Sequence, residues 1–451
     1  MKVVIVGSTH AGIAAVKQVL ANYPEADITV YERQKQISYL ACATYLHIEG
    51  TVRSLADTFY AEPDDFVKQG VKMAVQHDVI SIDAQAHTLV VQNLLTKQKT
   101  TDSYDKLIMA TGSITAIPAI VGIENTKVRL CKTFDQARDL CAAAADFQRV
   151  AIIGGGYIGV ELAEGYVRTG HDVTLIQKPT RLLNGYLEPA LSQTVEALLT
   201  GHGVHVLTNT RATRFANSAD GALTITTTRG ELTVDMAAVS AGMLPQTDLL
   251  TGQVKMAKNG AILTDDYMHS SNPDILAAGD NAVIHYNPTQ TAAYSPLASH
   301  AVRQGALAGI NVFERRVRTL GTQSSTGILI FGHTIACVGM TTAAAKAARF
   351  NVGSVRYQGS YRPDFMPEAY QVTIELIYNR NNRRILGAQL LSKHDISQSA
   401  NTISTLIQNR ATIDQLALVD MLFSPNFSQP FNYLNLAGQM AVAQENGYQR
   451  S

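Results

Sequence analysis

An α/β fold made of two parallel βαβ units and a later α+β region is what the sequence predicts, from three observations. The opening run reads strand (Lys2–Val6), turn Gly7-Ser8-Thr9-His10-Ala11-Gly12, helix, strand (Asp27–Val30), then Glu32. The same order returns at Arg149–Gln177: strand Val150–Ile153, turn Gly154-Gly155-Gly156-Tyr157-Ile158-Gly159, helix from Glu161, strand Asp172–Ile176. From about Thr319 the texture changes to alternating strands, Gly327–Phe331, Val372–Tyr378 and Ile385–Leu391, then a helical pattern over Ser397–Gln408. A glycine turn between strand and helix aims backbone N–H groups and the positive helix end at a pyrophosphate. A carboxylate roughly 20 residues further on, as at Glu32, can accept the hydroxyls of an adenosine ribose. Both units therefore read as Rossmann-like and dinucleotide-binding. Two of them imply two dinucleotides, most simply a bound flavin and a visiting nicotinamide.

The order of the elements gives a domain plan. After the first unit comes an irregular stretch, then strands near Lys72–Gln76 and Thr88–Asn93, then strand Lys106–Met109 ending in Ala110-Thr111-Gly112-Ser113. The second unit continues through strands near Val204–Leu207, Leu223–Thr228 and Met236–Ser240. Beyond Gly242, the run Asn272–Asp280 reads as a strand ending at a glycine and a carboxylate, the kind of strand end where open α/β sheets bind ligands. It reads as the first domain resuming after an insertion. The expected parts are 1–115 and 242–318 for the first domain, 116–241 for the second, and 319–451 for a C-terminal interface domain.

Composition narrows the function. At 451 residues the chain is too long for one core, and its 37 basic and 37 acidic side chains set up no field for nucleic acid or an anionic membrane. No apolar run approaches the roughly 20 residues that cross a bilayer, and the N-terminus enters a strand at once, leaving no room for a signal peptide. Cys42, Cys131, Cys141 and Cys337 form neither a disulfide framework nor a metal pattern, which suits a reducing cytoplasm.

The chain resembles the flavin-dependent pyridine nucleotide–disulfide oxidoreductases, whose fold is that of glutathione reductase, and within them the single-cysteine branch of NADH oxidases, NADH peroxidases and coenzyme A disulfide reductases. The resemblance rests on Val6-Gly7-x-Thr9-His10-Ala11-Gly12, Ile37-Ser38-Tyr39-Leu40-Ala41-Cys42, Ala110-Thr111-Gly112-Ser113, the Gly154–Glu161 turn, Ala277–Asp280, and Phe423-x-Pro425-x-Phe427 with Pro430-Phe431-Asn432-Tyr433. The water-forming NADH oxidases of lactic acid bacteria look closest, through His269-Ser270-Ser271-Asn272, Tyr286-Asn287-Pro288-Thr289 and Tyr361-Arg362-Pro363-x-Phe365-Met366-Pro367. The resemblance implies that Gly7, Ser8, Thr9, His10, Ala11 and Gly12, with Glu32 and Arg33, hold the diphosphate and adenosine of FAD. Ala110, Thr111, Gly112, Ser113 and Lys132 would line the same cofactor, Asp280 would bind its ribityl chain, and Ala298 would open a helix facing its pyrimidine ring. Gly154, Gly156, Ile158 and Gly159 would cradle the nicotinamide cofactor, Tyr186 and Gly242 would touch it, and Tyr157 would cover the flavin until the nicotinamide displaces it.

Cys42 would carry the chemistry with His10 as its acid–base partner. With no second cysteine a few residues away, a lone thiol must cycle through a sulfenic acid or a mixed disulfide, and a helix start with a nearby cation would lower its pKa. The implied reaction passes hydride from the nicotinamide to FAD and reduces dioxygen to water. The alternatives take peroxide, or a coenzyme A disulfide or persulfide, as oxidant, or make the chain a redox-sensing flavoprotein. An aromatic run at Phe423, Phe427, Phe431 and Tyr433 suggests a homodimer, with a tetramer as the larger possibility. Two departures bear on the chemistry: Ala41 and Ala43 flank Cys42 where the oxidases carry Ser and Gly, and Leu244-Pro245-Gln246 replaces Arg-Pro-Asn. Where NADH-specific members carry an acid, the chain has Gln177, followed by Lys178 and Arg181, so NADH or NADPH is the expected co-substrate.

Overall fold

The computed structural model describes residues 1–447; residues 448–451, which the expected interface domain includes, lie outside the described residues. The first sheet has five parallel strands in the order Ile275–Ala277, Lys106–Met109, Lys2–Val6, Asp27–Glu32 and Lys72–Val75. Its central strand is a near-continuous apolar run, with Val3, Val4 and Ile5 fully buried, as a parallel sheet covered on both faces requires. Ile275–Ala277 reaches this sheet from far along the chain and carries Asp280 to the carboxyl edge where the first glycine turn lies. The helix Ala298–Ile310 packs on His10–Asn22 so closely that a Cβ on Gly305 would stand 2.1 Å from the carbonyl oxygen of Ala11. That contact sets the start of His10–Asn22 against the middle of Ala298–Ile310, and Gly309 on Ala15 continues it.

The second sheet repeats the plan with His205–Leu207, Asp172–Ile176, Arg149–Ile153, Met236–Val239 and Val128–Arg129. Its helix begins at Tyr157, one turn before Glu161. The Gly156 carbonyl already accepts the Val160 amide at 3.0 Å, so the glycine turn is shorter than its glycine spacing suggests. The antiparallel pair Ser113–Thr115 and Met243–Pro245 joins the two halves. The stretch read as irregular holds short helical turns at Ala41–Ala43, Thr44–Ile48, Leu55–Thr58 and Pro63–Val67. None is long enough to show a helical period.

The C-terminal region is a five-stranded antiparallel sheet, ordered Thr326–Ile330, His333–Gly339, Ile385–Ser392, Gln371–Asn379, Val352–Ser360, with helices Ser397–Gln408 and Tyr433–Glu445. Two of those strands were not anticipated. Ala336, Val338 and Val355 bury their side chains against the helices, but small and polar neighbours blur the alternation. Phe423, Phe427 and Phe431 are exposed by 49%, 63% and 51%, while Tyr433 is buried at 4%. Tyr433 is thus a core residue, its hydroxyl paired with Ser399, and not a member of the exposed aromatic run. Among the described residues no helix is long and apolar enough to cross a membrane, and no group of three potential metal ligands comes together.

Candidate active site

Two adjoining cavities gather most of the residues singled out from the sequence. The smaller, about 460 Å³, is lined by Gly7, Ser8, Thr9, His10, Ala11, Glu32, Arg33, Ala110 to Ser113, Lys132 and Asp280. The larger, about 1000 Å³, is lined by His10, Cys42, Lys132, Gly154, Gly156, Tyr157, Ile158, Gln177, Lys178, Tyr186, Gly242, Asp280 and Ala298. His10, Lys132 and Asp280 belong to both walls. Gly12 and Gly159 line neither. Each packs behind its turn, where a Cβ would come within 1.9 Å of the Gly7 oxygen or 1.8 Å of the Gly154 oxygen. They let helix and strand close up, and so act on the cradle indirectly.

The two turns are built alike down to one side chain. Glu32 Oε2 accepts the Ser8 amide at 2.8 Å and the Ser8 hydroxyl at 2.9 Å, while Oε1 accepts the Gln34 amide at 2.8 Å. At the matching register in the second unit, Gln177 Oε1 accepts the Gly155 amide at 2.9 Å, and its Nε2 donates to the Arg181 carbonyl and to Asn184 Oδ1, each at 3.3 Å. The carboxylate of the first unit is replaced by a neutral amide in the second. Lys178 and Arg211 line the larger cavity beside it; Arg181 does not, and its Nη1 is buried without a hydrogen-bond partner among the described residues. Arg211 carried no motif, and only the fold brings it here.

Either cavity has the donor chemistry of a dinucleotide site. In the smaller, glycine-turn amides, a helix start and a buried carboxylate at the strand end suit diphosphate and ribose. Asp280 is held by the Ser113 hydroxyl at 2.7 Å and the Lys132 ammonium at 3.3 Å, so its carboxylate is oriented toward the wall that both cavities share. These residues fit FAD, with Ala298 opening its helix at the larger cavity. Arg33 is paired with Asp78 at 2.8 Å, which holds the guanidinium along the rim. Replacing Glu32 by Ala leaves the Ser8 and Gln34 amides without their acceptor, at a cost of about 1–3 kcal/mol. The expected outcome is lower flavin absorbance per protein and a lower melting temperature; unchanged flavin content would remove Glu32 from the cofactor site.

Cys42 lies in the short turn Ala41–Ala43, exposed and facing the larger cavity. Its thiol is pushed up, first by burial and then by the Glu161 carboxylate, against a smaller opposite pull from its backbone hydrogen bond and Lys132. This corrects the sequence expectation of a lowered pKa: the cation is present, but burial, and after it Glu161, outweighs it. Glu161 was missed because a glutamate in the first half of a helix reads as a surface residue. Its carboxyl is pushed up to about 8 by burial, then by Glu164 and Glu49. His10 Nδ1 lies 3.0 Å from the Tyr60 hydroxyl, its ring stacked on Tyr60 at 5.7 Å. Burial lowers its pKa, with Asp280 acting in the opposite sense, so the ring is neutral near pH 7. Tyr157 leans on Tyr186 at 4.3 Å and bonds through its hydroxyl to Thr326, the first residue of the C-terminal sheet. Cys131 and Cys337 are buried, with thiols pushed up by burial to about 11 and about 12.

Residues 1–305 match the family model for pyridine nucleotide-disulphide oxidoreductase, and residues 326–434 match its dimerisation domain. The chain belongs to this family. Among curated members of the pyridine nucleotide-disulphide oxidoreductases, the NADH oxidase of Enterococcus faecalis is 44% identical over 443 residues, 98% of this chain and 99% of that protein. A water-forming NADH oxidase from Lactobacillus brevis, solved with NADH, superposes with a TM-score of 0.98 at 47% identity over 99% of both chains. An engineered water-forming NADPH oxidase derived from it, solved with NADPH, gives the same TM-score and identity. The α/β architecture of the family, two dinucleotide-binding units and a dimerisation domain, is the one the sequence predicts.

Proposed function

We propose that the protein is an FAD-dependent NAD(P)H oxidase that reduces dioxygen to water. The observation that carries this reading is Cys42, the exposed cysteine of the four, facing the same cavity as the second glycine turn, with His10 and the Lys132–Asp280 pair on the wall toward the first. The close relatives named as NADH oxidases support the same activity. When bound, the flavin supplies two-electron transfer between the nicotinamide and dioxygen. The chain's own residues then deal with peroxide. The Cys42 thiolate attacks one peroxide oxygen, an S–O bond forms, the O–O bond breaks, and the departing hydroxide leaves as water once it takes a proton. A second electron pair returns the sulfenic acid to thiolate and releases the second water. Neutral His10, held by Tyr60, is the acid–base partner that hydrogen-bonds the peroxide oxygen attacked by sulfur.

The test is the ratio of water to hydrogen peroxide formed per NAD(P)H consumed under air. Near-complete water formation is expected. Reduced enzyme that ignores air but reacts with peroxide, or with a coenzyme A disulfide, would move the function to those relatives' chemistry.

The working unit is a homodimer. Phe423, Phe427 and Phe431 stand exposed together with Leu422 at 70%, inside the span matched by the dimerisation model. Exposed aromatics grouped in this way are typical interface anchors. Light scattering at micromolar concentration is expected to give twice the chain mass. Phe427→Asp is expected to shift the population toward monomer; a monomeric parent protein would refute the assignment.

A further inference from the structure

Water formation has a proton requirement. Two hydrides and one dioxygen become two waters only with two further protons from solution, and one of them is consumed by the hydroxide that leaves Cys42. Cys42 faces the cavity that the dinucleotides would fill, so with both bound that proton needs a source in the protein wall.

Helix Tyr157–Arg168 supplies residues for one. Its Glu161 lines the cavity with Cys42 and Tyr45. One turn on, Glu164 is 2% exposed; its Oε1 accepts the Phe331 amide at 2.8 Å and Arg168 Nε at 2.7 Å. Glu164 Oε2 is buried with no hydrogen-bond partner among the described residues. A buried carboxylate oxygen without a donor is costly, and protonation of the carboxyl group relieves that cost. Glu49, just past helix Thr44–Ile48, completes the line. Its Oε2 lies 3.7 Å from Arg168 Nε, its Oε1 accepts the Thr51 hydroxyl at 2.7 Å, and the Arg168 side chain is 46% exposed. Gly165 allows this approach, since Tyr45 packs its carbonyl oxygen 3.2 Å from where a Cβ would sit.

We propose that Glu49, Glu164 and Glu161 form a proton line from the surface at Arg168 to Cys42, resupplying the proton taken up when peroxide is cleaved there. This rests on the oxidase reading. As the thiolate attacks and the O–O bond breaks, Glu161 gives its proton to the departing hydroxide, which leaves as water. The sulfur loses two electrons and the peroxide oxygens gain them. The Glu161 carboxylate then regains a proton from Glu164, and Glu164 from solvent by way of Glu49. The groups around Glu161 are Glu164 on its own helix, Tyr45 and Glu49 from the neighbouring short helix and its end, and Cys42. Lys132 acts on Cys42, and Arg168 on the two outer carboxylates. Burial and its two acidic neighbours keep Glu161 protonated near neutral pH, as a proton donor requires.

Glu164→Gln keeps an oxygen for the Phe331 amide and Arg168 but cannot carry a proton, and Glu49→Gln does the same at the outer end. Both holoenzymes are expected to release several-fold more hydrogen peroxide per dioxygen than the parent, with a larger solvent deuterium isotope effect. Added acetate or imidazole is expected to reverse the peroxide release. Independently of turnover, Glu161→Gln is expected to lower the pH at which iodoacetamide alkylates Cys42, because a nearby negative charge is removed. Unchanged peroxide yield and isotope effect in both outer variants, or an unchanged alkylation midpoint in Glu161→Gln, would overturn the proton line. A parent enzyme that consumes no dioxygen would instead overturn the oxidase reading, and the alkylation titration still reads the Glu161–Cys42 interaction.

Discussion

Cys42→Ser is expected to go on oxidising the nicotinamide under air while its product changes from water to hydrogen peroxide, about one peroxide per dioxygen consumed. Serine is close in size to cysteine and fits the Ala41–Ala43 turn, so the fold and both cavities persist. What is lost is a polarisable nucleophile able to accept an oxygen atom and give it back; a hydroxyl has no sulfenic-acid state. Peroxide made in the cavity then has nothing to cleave it and diffuses out. Peroxide yield measured with a coupled peroxidase, alongside oxygen-electrode traces, decides the matter. A mutant that still makes water would place the second reduction elsewhere. Cys131 is the nearest competitor for that role, since it lines the same cavity, but its burial holds the thiol protonated.

NADPH is expected to be accepted at a kcat/KM comparable to or above that for NADH. The relevant comparison lies inside the chain. Glu32 and Gln177 occupy matching positions and each holds the second residue of its glycine turn, so the exchange of carboxylate for amide leaves the turn intact while removing one negative charge. The larger cavity gains Lys178 and Arg211 at that end. A 2′-phosphate thus meets cations where a carboxylate would repel it. The engineered NADPH-bound relative was made by substitutions that remove an aspartate and add two arginines, a change of the same electrostatic sign. Gln177→Asp is expected to shift the cofactor ratio toward NADH by about 5- to 150-fold, or on the order of 1–3 kcal/mol. Arg211→Ala is expected to weaken NADPH more than NADH. Steady-state kinetics with both cofactors test this, and a parent preference for NADH above about a hundredfold would contradict it.

The sequence was most informative where a local rule and a ligand coincide. Both glycine turns, the strands that lead into them and the residues at Glu32, Gln177 and Asp280 could be placed because strand, turn and carboxylate follow each other at short range. The helix over Ser397–Gln408 was legible for the same reason, since it carries three full turns of pattern. The structure added what depends on tertiary approach. Glu161 and Arg211 enter the larger cavity through packing between elements distant in sequence, so neither has a local signature. Strand Val352–Ser360 escaped notice because its glycines and serines interrupt the apolar alternation. Tyr433 was misjudged for the opposite reason: an aromatic cluster in sequence does not say which ring turns inward.

The wall shared by His10, Lys132 and Asp280 makes the two cavities thermodynamically one system. A ligand in either cavity changes the field at the same three side chains, so the free energy of filling one depends on the state of the other. By linkage that dependence is equal in both directions. If oxidised nicotinamide binds the reduced protein more tightly than the oxidised one, it must raise the flavin's midpoint potential by the corresponding amount. A potentiometric titration with and without NAD⁺ and a pair of binding isotherms would therefore close a single cycle. Lys132→Met, which removes the cation common to both walls, is the variant in which that cycle should flatten.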